Sequence, residues 1–438
     1  MKTNKTLYLV IPVILILLFS SCNFFDFFFT REKEDEEIGK FEDINIFDRI
    51  FLPNELTFIT EYSMTSDENY LYAITTGDRN CPGQVVKVPK NGGKPLIKTL
   101  LNEARLAGFA DSSPYDLESV DYYNHQLIVK AVPVWLQPEH GEFEIYCMNP
   151  ENLSVQWRWV PEENGKLDYH AVGCSPIPRW NDYYIIYYAE EKKDDGFYIV
   201  FLDLNGNQVL KRFIQKSRPK DKGNICIVDN KLFLHQELEP LIIYDLGKLL
   251  DLNYNSNDCI DFSFSGEANI YSNIVTDGKT CYFCNIEIKN QEKHDCVMVL
   301  YAVSLSNYQT VWKYEFDYEH FDCINSILLY EGNIFLAADY GCVYCVNSKN
   351  GKLNWKTKIS DETKWTNLLC EGCIVENYFA IPCASNSFLY YFDINTGKIK
   401  GKYNIPVFGG KRHCYVEGEY LYITTGSYIA RLKLIEEG

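Results

Sequence analysis

Basic charge is what this sequence lacks most: 42 Lys and Arg stand against 60 Asp and Glu, a formal net charge of −18. Proteins hold phosphate backbones by letting Lys and Arg displace counterions, so this balance excludes nucleic acid as a partner. It also disfavours electrostatic docking on anionic lipid, and leaves solubility as the role of the excess charge. Catalytic signatures are missing as well. No G-x-S-x-G elbow, P-loop, His-x-His or HExxH spacing occurs, so serine-hydrolase, nucleotide-hydrolysing and zincin chemistries have no local carrier. No helical period stands out, and no Pro/Ser-rich linker divides the chain after residue 45. One domain follows, and it is not helical.

Aromatic side chains are abundant instead. The 33 Tyr, 26 Phe and 7 Trp make up 15% of the chain, against only 4 Met. Such residues favour pleated, half-buried surfaces, which points to strands.

The first 22 residues have three parts: Lys2 and Lys5, an apolar run from Leu7 to Phe19, and Ser20-Ser21 before Cys22. That is the layout of an export signal over residues 1–21. Phe19-Ser20-Ser21-Cys22 resembles a bacterial lipobox, with Phe19 where leucine is usual, and the resemblance implies lipid attachment at Cys22. The alternative is a retained membrane anchor, but Leu7 to Phe19 falls short of the ~20 residues that span a bilayer. Residues 22–45 then read as the modified cysteine and a charged tether, Arg31 to Glu37 being almost wholly ionic.

A repeat fills residues 46–438. Eight times a turn of Asn, Asp or Gly precedes an aromatic-rich apolar run: at Asn69, Asn124, Asn181-Asp182, Asp229-Asn230, Asp277-Gly278, Gly332-Asn333, Asn377 and Gly418. Each is a hairpin signal, and intervals of about 40–57 residues suit propeller blades of four strands. The fold class is therefore all-β: a β-propeller, eight-bladed, or seven-bladed if the poorly patterned stretch 245–270 hides an irregular blade. The last repeat, from about His413 to Leu434, lacks an outermost strand. Ile46 to Leu52 is placed to supply it and close the ring.

A second pattern is more specific. Cys345 to Trp355, containing Gly351 and Lys352, resembles the tryptophan-docking repeat of pyrroloquinoline-quinone (PQQ) type propellers. Ala302 to Trp312 keeps Ala and Trp at the same spacing, and Cys147 to Trp157 keeps the Trp. Tyr391 to Gly401 keeps Asp393, Thr396, Gly397 and Lys398 but ends in glycine. Asp203 with Asn205-Gly206-Asn207, and Lys90 to Lys94, are weaker echoes. The unit is a turn that reverses the chain and a ring that fills the gap between blades. Trp157, Trp312 and Trp355 are accordingly expected to pack rather than to bind ligand.

Sixteen cysteines invite a metal or disulfide reading. Three pairs, Cys281/Cys284, Cys342/Cys345 and Cys370/Cys373, have C-x-x-C spacing, but in strand-like context positions three apart point to opposite faces and cannot share a metal. Buried structural thiols are expected, with some disulfides an alternative. The seven His show no ligating pattern, and Glu190-Glu191 with Asp194-Asp195 reads as a solvated hairpin tip. Quinoprotein enzymes with these repeats usually carry a vicinal cysteine pair, and no Cys-Cys dipeptide occurs here.

The repeats and lipobox together resemble the propeller lipoproteins of the outer-membrane β-barrel assembly machinery. That resemblance implies a scaffold without cofactor or metal, in the cell envelope. It would be lipid-anchored, at the outer membrane rather than the inner, and would bind another envelope protein through loops on one propeller face. The longer hairpins around Val132 to Gly141, Glu190 to Gly196 and Glu287 to Asp295 are the candidate contacts. Two other readings stand beside it: a glycan or small molecule held by aromatic side chains, and a PQQ-dependent dehydrogenase.

Overall fold

A computed structural model describes residues 49–51, 64–75, 83–90, 94–100, 115–133, 143–161, 177–190, 196–215, 224–235, 241–264, 269–270, 272–290, 295–316, 324–338, 341–359, 372–383, 388–404, 414–424 and 428–434. All of them fall within one compact unit, Phe47–Gly438. The expected export signal over residues 1–21, Cys22 and the expected charged tether lie outside the described residues.

Eight antiparallel sheets follow one another in a ring. Blades 1 to 7 comprise residues 64–99, 115–159, 179–215, 224–264, 269–315, 324–358 and 373–404, and blade 8 comprises 414–432 together with 49–51. Each blade is a meander of four strands, and neighbouring blades touch through their first strands, which places those strands innermost. In blade 5 the innermost position is split into two pieces, Asn269–Ile270 and Val275–Thr276.

The eight turn signals of the sequence are the eight links between first and second strands. Asn124 and His125 both take positive φ, as do Glu331 and Gly332, the conformation that matches the twist of a two-residue hairpin. The count is eight rather than seven because residues 245–264 of the poorly patterned stretch belong to an ordinary blade. Leu241–Asp245 and Ile260–Phe264 pair as its third and fourth strands. Between them lies a short helix, Leu246–Leu250, capped by the Asp245 carboxylate accepting from the Lys248 amide at 2.9 Å. Five residues are too few to show a period of 3.6, so no helical signal was visible there.

Ring closure takes place as the sequence suggests. Arg49–Phe51 pairs antiparallel with Tyr428–Leu432, in the register Arg49↔Ala430, Ile50↔Ile429, Phe51↔Tyr428. The outer strand of the last blade thus comes from the start of the domain.

The core is not one mass but a series of slabs between blades. Alternate residues of a strand face the blade before and the blade after. In Thr280–Asn290, Tyr282, Cys284 and Ile286 join the slab shared with blade 6, while Cys281 and Phe283 join the slab shared with blade 4. Tyr72, Tyr184, Tyr188, Tyr282, Tyr344 and Tyr391 are among the largest fully buried side chains, and they fill these wedge-shaped gaps.

Candidate functional site

The three tryptophans of the repeat occupy one geometry. Trp157, on the outer strand of blade 2, donates its indole N–H to the Leu204 carbonyl of blade 3 at 3.1 Å. Trp312 of blade 5 donates to Ser348 O of blade 6, and Trp355 of blade 6 to Ile394 O of blade 7, both at 2.9 Å. Each acceptor lies in the turn between the third and fourth strands of the next blade. The turn also brings a left-handed glycine under the indole: Gly206 (φ 81°), Gly351 (φ 68°) and Gly397 (φ 69°). A Cβ at Gly206 or Gly351 would stand 2.5 Å from the indole carbons. Glycine is needed there twice over, for its backbone and for its missing side chain.

The same turn occurs without glycine in two places. Leu153 (φ 57°) in blade 2 and Tyr308 (φ 56°) in blade 5 take the left-handed position. In both cases the outer strand of the preceding blade, Leu96–Thr99 or Ile260–Phe264, carries no tryptophan. Among these five described turns, glycine in the turn and tryptophan on the blade before it go together.

Asp393 heads its turn, accepting from the Asn395 amide at 3.0 Å, the Thr396 amide at 2.8 Å and the Thr396 hydroxyl at 2.9 Å. Partial burial works against its charge. The Thr396 hydroxyl and the two amides outweigh that and hold the carboxyl below its ordinary value. Asn347 plays the corresponding part before Gly351, where the Lys352 carbonyl closes the turn by accepting from the Asn347 amide at 2.8 Å.

Position 401, where the repeat would place tryptophan, holds glycine for a steric reason. Trp157, Trp312 and Trp355 stand in register opposite Cys147, Ala302 and Cys345, whereas Gly401 stands opposite Tyr391. A Cβ at Gly401 would run into the Tyr391 ring. A large ring on one strand requires a small residue on its neighbour, and here the two have changed places.

The link from one blade to the next carbonyl outlasts the tryptophan. Lys87 of blade 1 donates to Glu151 O at 3.1 Å, and Arg212 of blade 3 to Asp251 O at 2.8 Å and to Tyr254 O. Tyr403 of blade 7 donates to Lys433 O at 3.1 Å, and Arg431 of blade 8 to Lys90 O at 2.9 Å. Seven of the eight junctions therefore carry a side-chain donor from one blade to a backbone carbonyl of the next. The closing junction is further latched by the Lys90–Glu417 ion pair and by Ser66 Oγ against Tyr415 Oη at 2.9 Å. Sequence reasoning found the tryptophans and missed these other donors.

Ten described cysteines stand outside any disulfide, nine buried and Cys226 half-buried. Both C-x-x-C pairs that are described send their sulfurs into different slabs: Cys281 and Cys284 as above, and Cys342 toward blade 5 with Cys345 toward blade 7. Burial pushes the Cys147 thiol up to about 12 and that of Cys345 to about 11. Among the described residues no group of three or more His, Cys, Asp or Glu converges as a metal site would. No helix of the described residues is long and apolar enough to cross a membrane.

The three long hairpins named from the sequence are bounded by Gln126–Pro133 and Glu144–Met148, by Tyr183–Glu190 and Gly196–Asp203, and by Thr280–Asn290 and Asp295–Ser304. Each joins a second strand to a third. In antiparallel blades such links leave from the face opposite to the Asn/Gly hairpins and docking turns, so all three share one face. Their central residues, 134–142, 191–195 and 291–294, lie outside the described set.

No protein-family model matches the chain, and no curated protein does. Solved structures do resemble it. BamB from Moraxella catarrhalis superposes with a TM-score of 0.57 at 11% identity, covering 89% of this chain and 98% of that one. The computationally designed Ika8 protein gives a TM-score of 0.55 at 8% identity, over 86% and 98% of the two chains. At such identities the likeness is one of fold.

Proposed function

We propose that this chain is an exported lipoprotein, anchored by a lipid on Cys22, whose propeller acts as a non-catalytic scaffold for another envelope protein in outer-membrane protein assembly. The observation that carries this reading is that the three long second-to-third-strand hairpins share one face of a rigid ring. A scaffold of paired strands with variable loops on one side is suited to protein binding, because the strands that bound the loops fix where they leave the ring. The lipobox-like Phe19 to Cys22 and the fold shared with BamB support the envelope setting. Trp157, Trp312, Gly351, Lys352, Trp355, Asp393 and Gly397 act in this reading as blade-to-blade structure, not as a binding site.

The test is purification of the tagged full-length protein from its native membranes in mild detergent, beside the Cys22→Ala variant. The expected result is recovery of wild type with an outer-membrane barrel protein or an assembly factor. The variant should be lost from the membrane fraction and lack the acyl mass on its mature N-terminus. Wild type recovered alone, or a variant that stays membrane-bound, would overturn the reading.

A further inference from the structure

The junction of blades 4 and 5 brings two thiols into one slab. Cys226 lies on Asn224–Val228, the inner strand of blade 4, and packs into the slab formed by Phe233, Leu241 and Ile243 with Phe283, Val299 and Tyr301 of blade 5. Cys281, on the second strand of blade 5, is fully buried in that same slab. Strand alternation fixes both directions. Ile225 and Ile227 face blade 3, so Cys226 faces blade 5; Tyr282 and Cys284 face blade 6, so Cys281 faces blade 4. The Cys281 sulfur lies near enough for its charge to bear on the Cys226 thiol. Facing thiols recur at the next two junctions, Cys284 with Cys342 and Cys345 with Cys383. Of these six cysteines only Cys226 is half-buried, and the other five are buried.

We propose that Cys226 and Cys281 form a cross-blade modification site that closes to a disulfide when a disulfide oxidant reaches it. The Cys226 thiolate attacks one sulfur of the oxidant, forming a mixed disulfide and expelling one thiolate. The Cys281 thiolate then attacks the Cys226 sulfur, the new S–S bond forms and the second thiolate leaves. Two thiols have lost two electrons and two protons, and the oxidant has become two thiols. The product joins a strand of blade 4 covalently to one of blade 5. Burial, reinforced by the neighbouring Cys281, pushes the Cys226 thiol up to about 12, and burial does the same to Cys281. Closure in the packed protein is therefore slow at neutral pH, and its rate rises about tenfold per pH unit below 12, as the thiolate fraction does. The inference does not depend on the proposed function, since it concerns only the thiols and the class of oxidant.

The experiment exposes the purified full-length protein to oxidised glutathione at several pH values. Remaining thiols are alkylated under denaturing, non-reducing conditions and the peptides are mapped by mass spectrometry. The expected result is a Cys226 peptide joined to a Cys281 peptide, two hydrogens lighter than their sum, accumulating faster at higher pH. In Cys226→Ser the linked species should vanish and Cys281 should be recovered alkylated. Full alkylation of both cysteines in wild type after oxidation would overturn the proposal, whether or not the variant folds. Linkage of either cysteine to a different partner would also overturn it.

Discussion

Two glycines separate the effects that make a position intolerant of side chains. Gly351 and Gly418 both take positive φ, but only Gly351 lies under an indole; a Cβ at Gly418 meets nothing within 4 Å. Gly418→Ala is expected to cost the left-handed penalty alone, roughly 1–2 kcal/mol. Gly351→Ala adds the displacement of Trp312, roughly another 1–3 kcal/mol. Denaturant unfolding of the two variants checks the difference, and equal losses would mean that the indole moves aside freely. The turn carboxylates make a second case. Asp67, Asp203, Asp277 and Asp393 are each opposed by partial burial yet held below the ordinary value by hydroxyl, amide or side-chain donors. A carboxyl depressed in the folded state contributes stability at pH values above its unfolded pKa, and that contribution is lost as pH falls through the folded value. Unfolding measured across that acidic range should show stability falling with pH, and Asp393→Asn should flatten the fall.

At the scale of elements, the strands and their order were legible because hairpin turns need particular backbone conformations, and Asn, Asp and Gly advertise them. The tryptophan unit was legible for the same reason. In the sequence Gly401 showed only that the repeat ends without its tryptophan; the strand pairing shows it as the small partner that Tyr391 requires. Lys87, Arg212, Tyr403 and Arg431 could not be read at all. Their acceptors are backbone carbonyls, which every residue has, and the donors share neither type nor spacing. What the junctions preserve is a hydrogen bond rather than a residue. Arg431→Met removes the donor at the closing junction while keeping much of the side-chain stem, and should cost about 1.5–3 kcal/mol, as charged hydrogen bonds do. Hydrogen exchange should show that loss first in Tyr428–Leu432, whose strand carries the ring closure. Unchanged protection there would assign closure to strand pairing alone.

For the whole molecule, the sequence reading reached the eight blades and the strand that closes them. It left open the stretch 245–270, because an insertion between third and fourth strands interrupts the spacing without removing the blade. The candidate contact hairpins were found as lengths of chain between strands. That they share a face follows from the topology, which no single hairpin reveals. Function was less legible than fold, because the scaffold role proposed above needs no chemical constellation that a sequence would display. In the function proposed above, binding belongs to one face, and site-specific photo-cross-linking in the native envelope distinguishes the two faces. A cross-linking residue is placed in turn within Val132 to Gly141, Glu190 to Gly196 and Glu287 to Asp295, and at Asp182, Glu331 and Glu376 in hairpins of the opposite face. The account expects adducts with one envelope protein from the first set and none from the second. Adducts to the same partner from Asp182, Glu331 and Glu376, with none from the long hairpins, would contradict it.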